Sequence, residues 1–321
     1  MAVARTTGQV DHHQFTELPS LLKAGDVVVV NDTRVYPARL IGTRLPGGGA
    51  AECFLIRETD TPDVWVALVH PGQRLREGSQ MVFERDGHRL HGEIVGRHFH
   101  GRRTVRLWSD SGGTVREIID AIGHVPLPPY IKRDDDTADR DRYQTIYARA
   151  RGSIAAPTAG LHFTPAILDA LASRGVERLS ITLHVGYGTF QPVRVDDVEQ
   201  HQMEAEQYDV SVETAAALSR ALAEKRRIIA VGTTTTRTLE SLRVDDSGHV
   251  AAGAGETALF IRPGHRFKIV SGLITNFHLP KSSLLMLVSA FAGREHVLDA
   301  YREAVANRYR FYSYGDAMLV V

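Results

Sequence analysis

Asp26-Val-Val-Val-Val-Asn31 decides how this chain is read. Four β-branched residues in unbroken succession, bounded by Gly25 and Asp32, spell a strand buried on both faces, as a sheet covered by helices requires. Around it the punctuation changes twice. Between Thr43 and about Ser111, short β-like runs (Glu52 to Ile56, Val64 to Val69, Met81 to Glu84, Leu90 to Val95, Thr104 to Trp108) alternate with Pro-Gly, Asp-Gly and Gly-Gly turn signals. Short strands so spaced predict a small antiparallel barrel or sandwich. From Val115 onward helix and strand patterns alternate. Thr164-Pro165 opens a helix that Gly175 closes, Arg178 to Val185 and Ile228 to Val231 read as strands, and Ser211 caps a helix running to about Lys225. Further helices are expected at Thr236 to Leu242, Ser282 to Phe291 and Glu295 to Asn307. The expected fold class is an α/β main domain, residues 1–42 plus 125–321, made discontinuous by an inserted small antiparallel β-barrel, residues 43–124.

Composition then narrows the function classes. A chain of 321 residues, 43% hydrophobic and 24% charged, is neither disordered nor fibrous. Basic and acidic residues balance at 38 each, so no protein-wide field draws in nucleic acid, and an RNA partner needs a local patch. The single cysteine, Cys53, excludes an intramolecular disulfide and every Cys-based zinc finger. No apolar run reaches the roughly 18 residues of a membrane span. Met1 to Gln14 is polar and carries no signal-peptide core. A cytoplasmic monomer without a membrane partner is expected.

In an α/β sheet, ligands collect where strands end and turn into helices, and the turns here carry small, hydroxylated and cationic residues. Ile228-Ile-Ala-Val-Gly232 runs into Thr233-Thr-Thr-Thr-Arg237, where amides, the Thr233 and Thr234 hydroxyls and Arg237 would suit a phosphate or carboxylate; an ordinary N-cap with solvent-facing threonines is an equal reading. Ile154-Ala-Ala-Pro-Thr158-Ala-Gly-Leu-His162 permits close backbone approach to a ligand. Thr182-Leu-His184-Val-Gly-Tyr187-Gly-Thr-Phe-Gln191-Pro-Val-Arg194 offers an aromatic face to a base or a sulfonium cation. In Thr275-Asn276-Phe-His278, Asn276 and His278 lie two apart and in extended geometry share a side. Arg308-Tyr-Arg310-Phe-Tyr-Ser-Tyr-Gly-Asp316 interleaves basic and aromatic residues as a surface for unpaired nucleotides would, or as an edge with snorkelling side chains would. His12-His13, His98-Phe-His100 and His201-Gln-Met-Glu204 lack the spacing of a metal ligand set, and no Walker or dinucleotide fingerprint occurs. No metal site and no cofactor is expected.

Taken in order, these strings resemble the S-adenosylmethionine:tRNA ribosyltransferase-isomerases of queuosine synthesis. The resemblance runs through Val29-Val-Asn-Asp-Thr-Arg-Val-Tyr-Pro-Ala-Arg-Leu40, Pro126-Leu-Pro-Pro-Tyr-Ile131, Ala155 to Phe163, Leu183 to Arg194, Val231-Gly-Thr-Thr with Arg237, Thr275 to Pro280, Leu287 to Gly293 and Tyr309 to Met318. It implies an α/β domain with an inserted barrel. It also implies transfer of the ribosyl part of S-adenosylmethionine to 7-aminomethyl-7-deazaguanine at the tRNA wobble position, isomerisation to an epoxycyclopentanediol, and release of adenine and methionine. S-adenosylmethionine is then a substrate, and the partner is a tRNA with a queuosine-type anticodon. Such proteins open with a further segment bearing a Leu-Pro stretch and a Ser-Arg-Leu-Leu strand, so Met1 is read as the start of a shortened chain. Tyr187 stands where a smaller residue is expected, and Thr235-Thr236 where Ser-Val is common.

That chemistry needs a base for the ribose 5′ carbon, acidified by the sulfonium, and a proton donor for departing adenine; each is worth about 10²–10⁴-fold. His162, His184 and His278 are the catalytic candidates, with Asp32 and Asp316 as alternative bases. Arg34, Arg194 and Arg237 are candidates for the methionine carboxylate or tRNA phosphates, and Arg308 and Arg310 for tRNA. Thr158, Tyr187, Gln191, Thr233, Thr234 and Asn276 complete the substrate-contact set. The competing readings are a paralogue using another sulfonium or acceptor, and an inactive or truncated paralogue that binds the anticodon stem-loop as an RNA-binding protein.

Overall fold

The structure, a computed structural model, describes residues 1–110, 112–128, 130–190 and 203–321. Two compact units account for the chain: one of residues 1–34, 144–150 and 156–321, the other of residues 35–143 and 151–155.

The first unit is built on a nine-stranded sheet. Its centre is the strand Val27–Asn31, flanked in parallel by Glu177–Leu183 on one side and Ile228–Val231 on the other, with Gly272–Asn276 parallel beyond the latter. Burial of every residue from Val27 to Asn31 explains the unbroken β-branched run: both faces are covered. Antiparallel strands extend the sheet, Glu206–Val210 and Gly253–Thr257 at one edge and Ala317–Val320 on the other side, where Ala2–Val3 and Val10–Asp11 follow as the outermost strands. On one face, Val28, Val30, Ile229, Val231 and Ile274 pack with Ile167 and Leu171 of the helix Pro165–Ser173, joined by Ala159, Phe163 and Leu18. That helix starts as expected, with the Thr164 hydroxyl accepting from the Ile167 N–H and a proline in its first turn.

The second unit is a closed six-stranded antiparallel barrel in the order Arg102–Trp108, Val64–His70, Ala50–Glu58, Arg39–Leu45, Gln80–Arg85, His88–Arg97. Cys53, Leu55, Trp65, Met81, Phe83, Leu90, Ile94 and Leu107 fill it, and burial raises the Cys53 thiol pKa to about 12. The strand Arg39–Leu45, first of the six along the chain, is the one that the expected boundary cut in two at Gly42. This glycine marks a close crossing inside a strand, for a Cβ there would lie 2.0 Å from the Val82 carbonyl oxygen. The unit also reaches further along the chain than 43–124. The helix Val115–Ile122, opened by a Thr114/Glu117 capping box, belongs to it and packs on the barrel strands, and the unit runs on to Tyr143.

Candidate active site

Order along the sheet fixes where a ligand can sit. From Val27–Asn31 the chain goes on to Glu177–Leu183 on one side, then crosses over to Ile228–Val231 on the other. The crevice beyond the carboxyl ends of Val27–Asn31 and Ile228–Val231 is therefore the topological switch point. Asp32 and Thr33 stand on one side of it and Gly232 to Thr234 on the other.

Asn31 organises the first side. Its side-chain amide donates to the Leu183 carbonyl (2.9 Å) and accepts from the Leu183 and Thr33 N–H groups, locking two strand ends together. Thr33 then faces His184, Oγ1 to Nδ1 2.9 Å. The Thr33 hydroxyl also reaches the Ala150 carbonyl (3.4 Å), so it ties the Nδ1 side of the imidazole to the backbone and leaves the Nε2 side facing away from Thr33. Among the described residues Nε2 has no protein partner. Burial lowers the His184 pKa below 6.5, with the Asp32 charge opposing. Asp32 itself is buried, with Oδ1 accepting from Thr182 Oγ1 (2.6 Å) and Oδ2 from Arg149 (2.8 Å). Both its oxygens are thus committed. Arg34 is exposed and takes no part in these bonds.

On the other side, Gly232 has φ 91°, the left-handed conformation that lets the strand turn at once into the helix Thr233–Ser241. The helix begins three residues earlier than expected. Thr235, Thr236 and Thr238 return their hydroxyls to the carbonyls of Val231, Gly232 and Thr234, so the threonine run satisfies itself internally. The Thr236 N–H makes the first helical bond, to Gly232, leaving the Thr233, Thr234 and Thr235 N–H groups at the open end. Arg237 points elsewhere. Only 3% exposed, it pairs with Glu206 (2.5 Å) and donates to the Leu259 carbonyl (3.0 Å). The other Glu206 oxygen accepts from the Gly186 N–H (2.9 Å), which anchors the turn after His184. Tyr187, half-buried, opens the short turn Tyr187–Phe190; Gln191 and Arg194 lie outside the described residues.

Asn276 ends the strand Gly272–Asn276, and its Oδ1 accepts from Thr158 Oγ1 (2.9 Å). His278 does not share its site. The strand stops at Asn276, the alternation on which the pairing rested stops with it, and His278 Nε2 meets Thr275 Oγ1 at 2.6 Å. Desolvation takes the His278 pKa to about 4. His162 closes the turn Thr158–His162, with Nδ1 facing the Ala159 carbonyl (3.2 Å) and Nε2 the Gly315 carbonyl (2.9 Å). It opens into a cavity of about 510 Å³ that Arg308, Arg310, Asp316, His12 and Phe15 also line. Burial raises the Asp316 pKa, but the hydrogen bonds and charge of Arg310 outweigh it and leave the carboxyl below its usual range. Arg308 is exposed, while Tyr309 and Phe311 turn inward, their rings 5.7 and 5.1 Å from Phe277.

Glu206, Asn31, Thr182 and Arg149 were not singled out from the sequence. Asn31 and Thr182 lie inside quoted strings with no role assigned to them, whereas Arg149 and Glu206 lie in no motif, and only the fold brings Glu206 to Arg237.

The family described as queuosine biosynthesis protein matches residues 1–320. A curated relative from Desulfitobacterium hafniense, an S-adenosylmethionine:tRNA ribosyltransferase-isomerase, is 51% identical over 100% of this chain and 92% of its own length. One of the same name from an Anaeromyxobacter species is 53% identical over 98% of this chain and 89% of its own. The crystal structure of S-adenosylmethionine tRNA ribosyltransferase from Thermotoga maritima aligns with a TM-score of 0.53 at 35% identity, covering 100% of this chain and 91% of that one.

Proposed function

The chain belongs to the queuosine biosynthesis protein family, and on that premise we propose that it is an S-adenosylmethionine:tRNA ribosyltransferase-isomerase with its reaction centre at the sheet's switch point. Its acceptor is 7-aminomethyl-7-deazaguanine at the wobble position of a tRNA with a queuosine-type anticodon; its products are the epoxycyclopentanediol-bearing tRNA, adenine and methionine. The observation that carries this assignment of the centre is the Thr33–His184 pair at the carboxyl ends of the central strands.

His184 is the base. Fixed through Nδ1 and kept neutral near pH 7 by burial, it presents Nε2 to a proton on the ribose 5′ carbon, which the adjoining sulfonium acidifies. Once that carbon is deprotonated, adenine leaves C1′ and the substrate amine takes its place, the C1′–O4′ bond opens, C5′ closes on C1′ to form the carbocycle, and O4′ displaces methionine from C5′ as the thioether to leave the epoxide. His162 and Asp316 act as positioning groups: with both ring nitrogens facing carbonyl oxygens, the imidazole fixes the 158–162 turn against Gly315. His278, with its pKa near 4, serves as a neutral hydrogen-bonding group on Thr275. The exchange is redox-neutral and the sulfonium supplies its own activation, so S-adenosylmethionine is consumed as a substrate and no metal or redox cofactor enters. Arg308 meets the tRNA backbone. No helix among the described residues is long and apolar enough to cross a membrane.

Incubation with S-adenosylmethionine and tRNA carrying the aminomethyl base tests this reading. Adenine, methionine and a tRNA mass gain in equal amounts support it. Binding of both substrates with no release of adenine would instead mark an inactive anticodon-binding paralogue.

A further inference from the structure

Asn276 is 2% exposed, and among the described residues its side-chain Nδ2 has no hydrogen-bond partner. A buried amide donor left unpaired costs about 1–3 kcal/mol, and here it is not loose, because Thr158 holds Oδ1 and so fixes the direction of the NH₂. Its position is set by the sheet. The Gly232 N–H donates to the Ile274 carbonyl (2.7 Å), so the strand end that carries Asn276 runs beside the residue from which the helix Thr233–Ser241 starts. Ala159, next to Thr158, closes the third side, for a Cβ on Gly232 would lie 3.9 Å from its methyl carbon. An orphan side-chain donor thus adjoins the N–H groups at the open end of the helix Thr233–Ser241, which favour negative charge.

These groups all donate, and among the described residues of the cradle none is a free cation. The nearest arginine in sequence, Arg237, is already neutralised by Glu206. Neutral donors at a helix end take a carboxylate or a phosphate; with no cation among the described residues of the cradle to offset a second charge, the singly charged carboxylate is the better match. S-adenosylmethionine carries one anionic group. We propose that Asn276 Nδ2 and the Thr233 and Thr234 amides bind the α-carboxylate of the methionine moiety of S-adenosylmethionine, in place of an arginine clamp. The proposal rests on S-adenosylmethionine being the ribosyl donor. It directs the sulfonium and the ribose 5′ carbon along the crevice, away from the helix end.

The test compares S-adenosylmethionine with its decarboxylated analogue, identical except for the carboxylate, by calorimetric titration of the full chain. Wild type should prefer S-adenosylmethionine by roughly 10- to 100-fold, the scale of hydrogen bonds to a charged group. Asn276→Asp puts a carboxylate against the ligand's own and should erase that preference while leaving the analogue's affinity near wild type. Should this variant fail to fold, Thr158→Val releases the Asn276 amide and should lower the preference several-fold. An unchanged preference in the folded variant, or equal affinity of wild type for the two ligands, overturns the subsite and leaves the donor assignment standing. Failure of wild type to bind either ligand overturns the donor assignment itself. Inorganic phosphate that displaces S-adenosylmethionine from wild type but not from Asn276→Asp would reassign the cradle to a phosphate.

Discussion

Replacing Arg237 with methionine should unfold more than it unbinds. The guanidinium and its partner Glu206 are 3% and 5% exposed and 2.5 Å apart, with a further bond from Arg237 to the Leu259 carbonyl. Removing one member of a buried pair leaves the other charge in a poor solvent, which costs about 3–5 kcal/mol. Set against a typical total of about 5–15 kcal/mol, that is a large share of stability. Arg237→Met should therefore shift the urea midpoint strongly downward. The double variant Arg237→Met/Glu206→Gln should regain most of the loss, because no charge is stranded and the glutamine oxygen can still accept from the Gly186 N–H. Equilibrium denaturation followed by fluorescence, together with S-adenosylmethionine titration of each folded variant, provides the readout. If Arg237→Met were as stable as wild type but had lost affinity for S-adenosylmethionine, the guanidinium would be a ligand clamp and the buried-pair reasoning would be refuted.

Other expectations follow from the same geometry. His278 titrates near 4 in the folded chain against about 6.5 unfolded, so its contribution is full above pH 6.5 and is lost as pH falls toward 4, a difference of roughly 3 kcal/mol. His278→Gln should flatten the acid limb of stability against pH, and an unaltered slope would contradict the burial of this ring. Since the His184 pKa is lowered by burial, kcat/KM should be level through pH 7 and fall only below pH 6.5; an acid limb centred above 6.5 would point to another base. Arg308→Ala should weaken tRNA binding and reduce the logarithmic salt slope by about one, whereas Arg310→Ala, already paired with Asp316, should change it less. Equal effects of the two substitutions would show that the Asp316 pair opens on RNA binding.

How much of this was legible beforehand differed by residue, for physical reasons. The four-valine strand and the Thr164-Pro165 helix start rest on local rules, burial on both faces and a capped first turn, and local rules survive without tertiary context. The boundary at Gly42 followed the change in sequence pattern there, but the strand Arg39–Leu45 runs straight through it, with the Val82 carbonyl close against the glycine. Arg237 followed a threonine run at a helix start, the place where an anion clamp would stand, and its neutralising partner is 31 residues upstream with no motif around it. The Asn276–His278 pairing assumed that a strand continued two residues past its end. Tyr309 and Phe311 read as a stacking surface because interleaved aromatics look alike whether they face solvent or, as here, Phe277. The turns bearing His184, Asp32, Thr233 and Asn276 were found correctly as strand ends. Which strands are neighbours, and hence that these turns meet at a switch point, is a property of the sheet alone.

The central claim is that His184 takes a proton from the ribose 5′ carbon. It is tested most directly by turnover of S-adenosylmethionine carrying deuterium at both 5′ positions, in wild type and in His184→Ala, with the label followed by mass spectrometry of the tRNA product. The account predicts that wild-type product loses one deuterium to solvent and that folded His184→Ala still binds S-adenosylmethionine but turns over about 10²-fold or more slowly. Product retaining both deuterium atoms, or a His184→Ala variant that turns over and loses label at the wild-type rate, would contradict it.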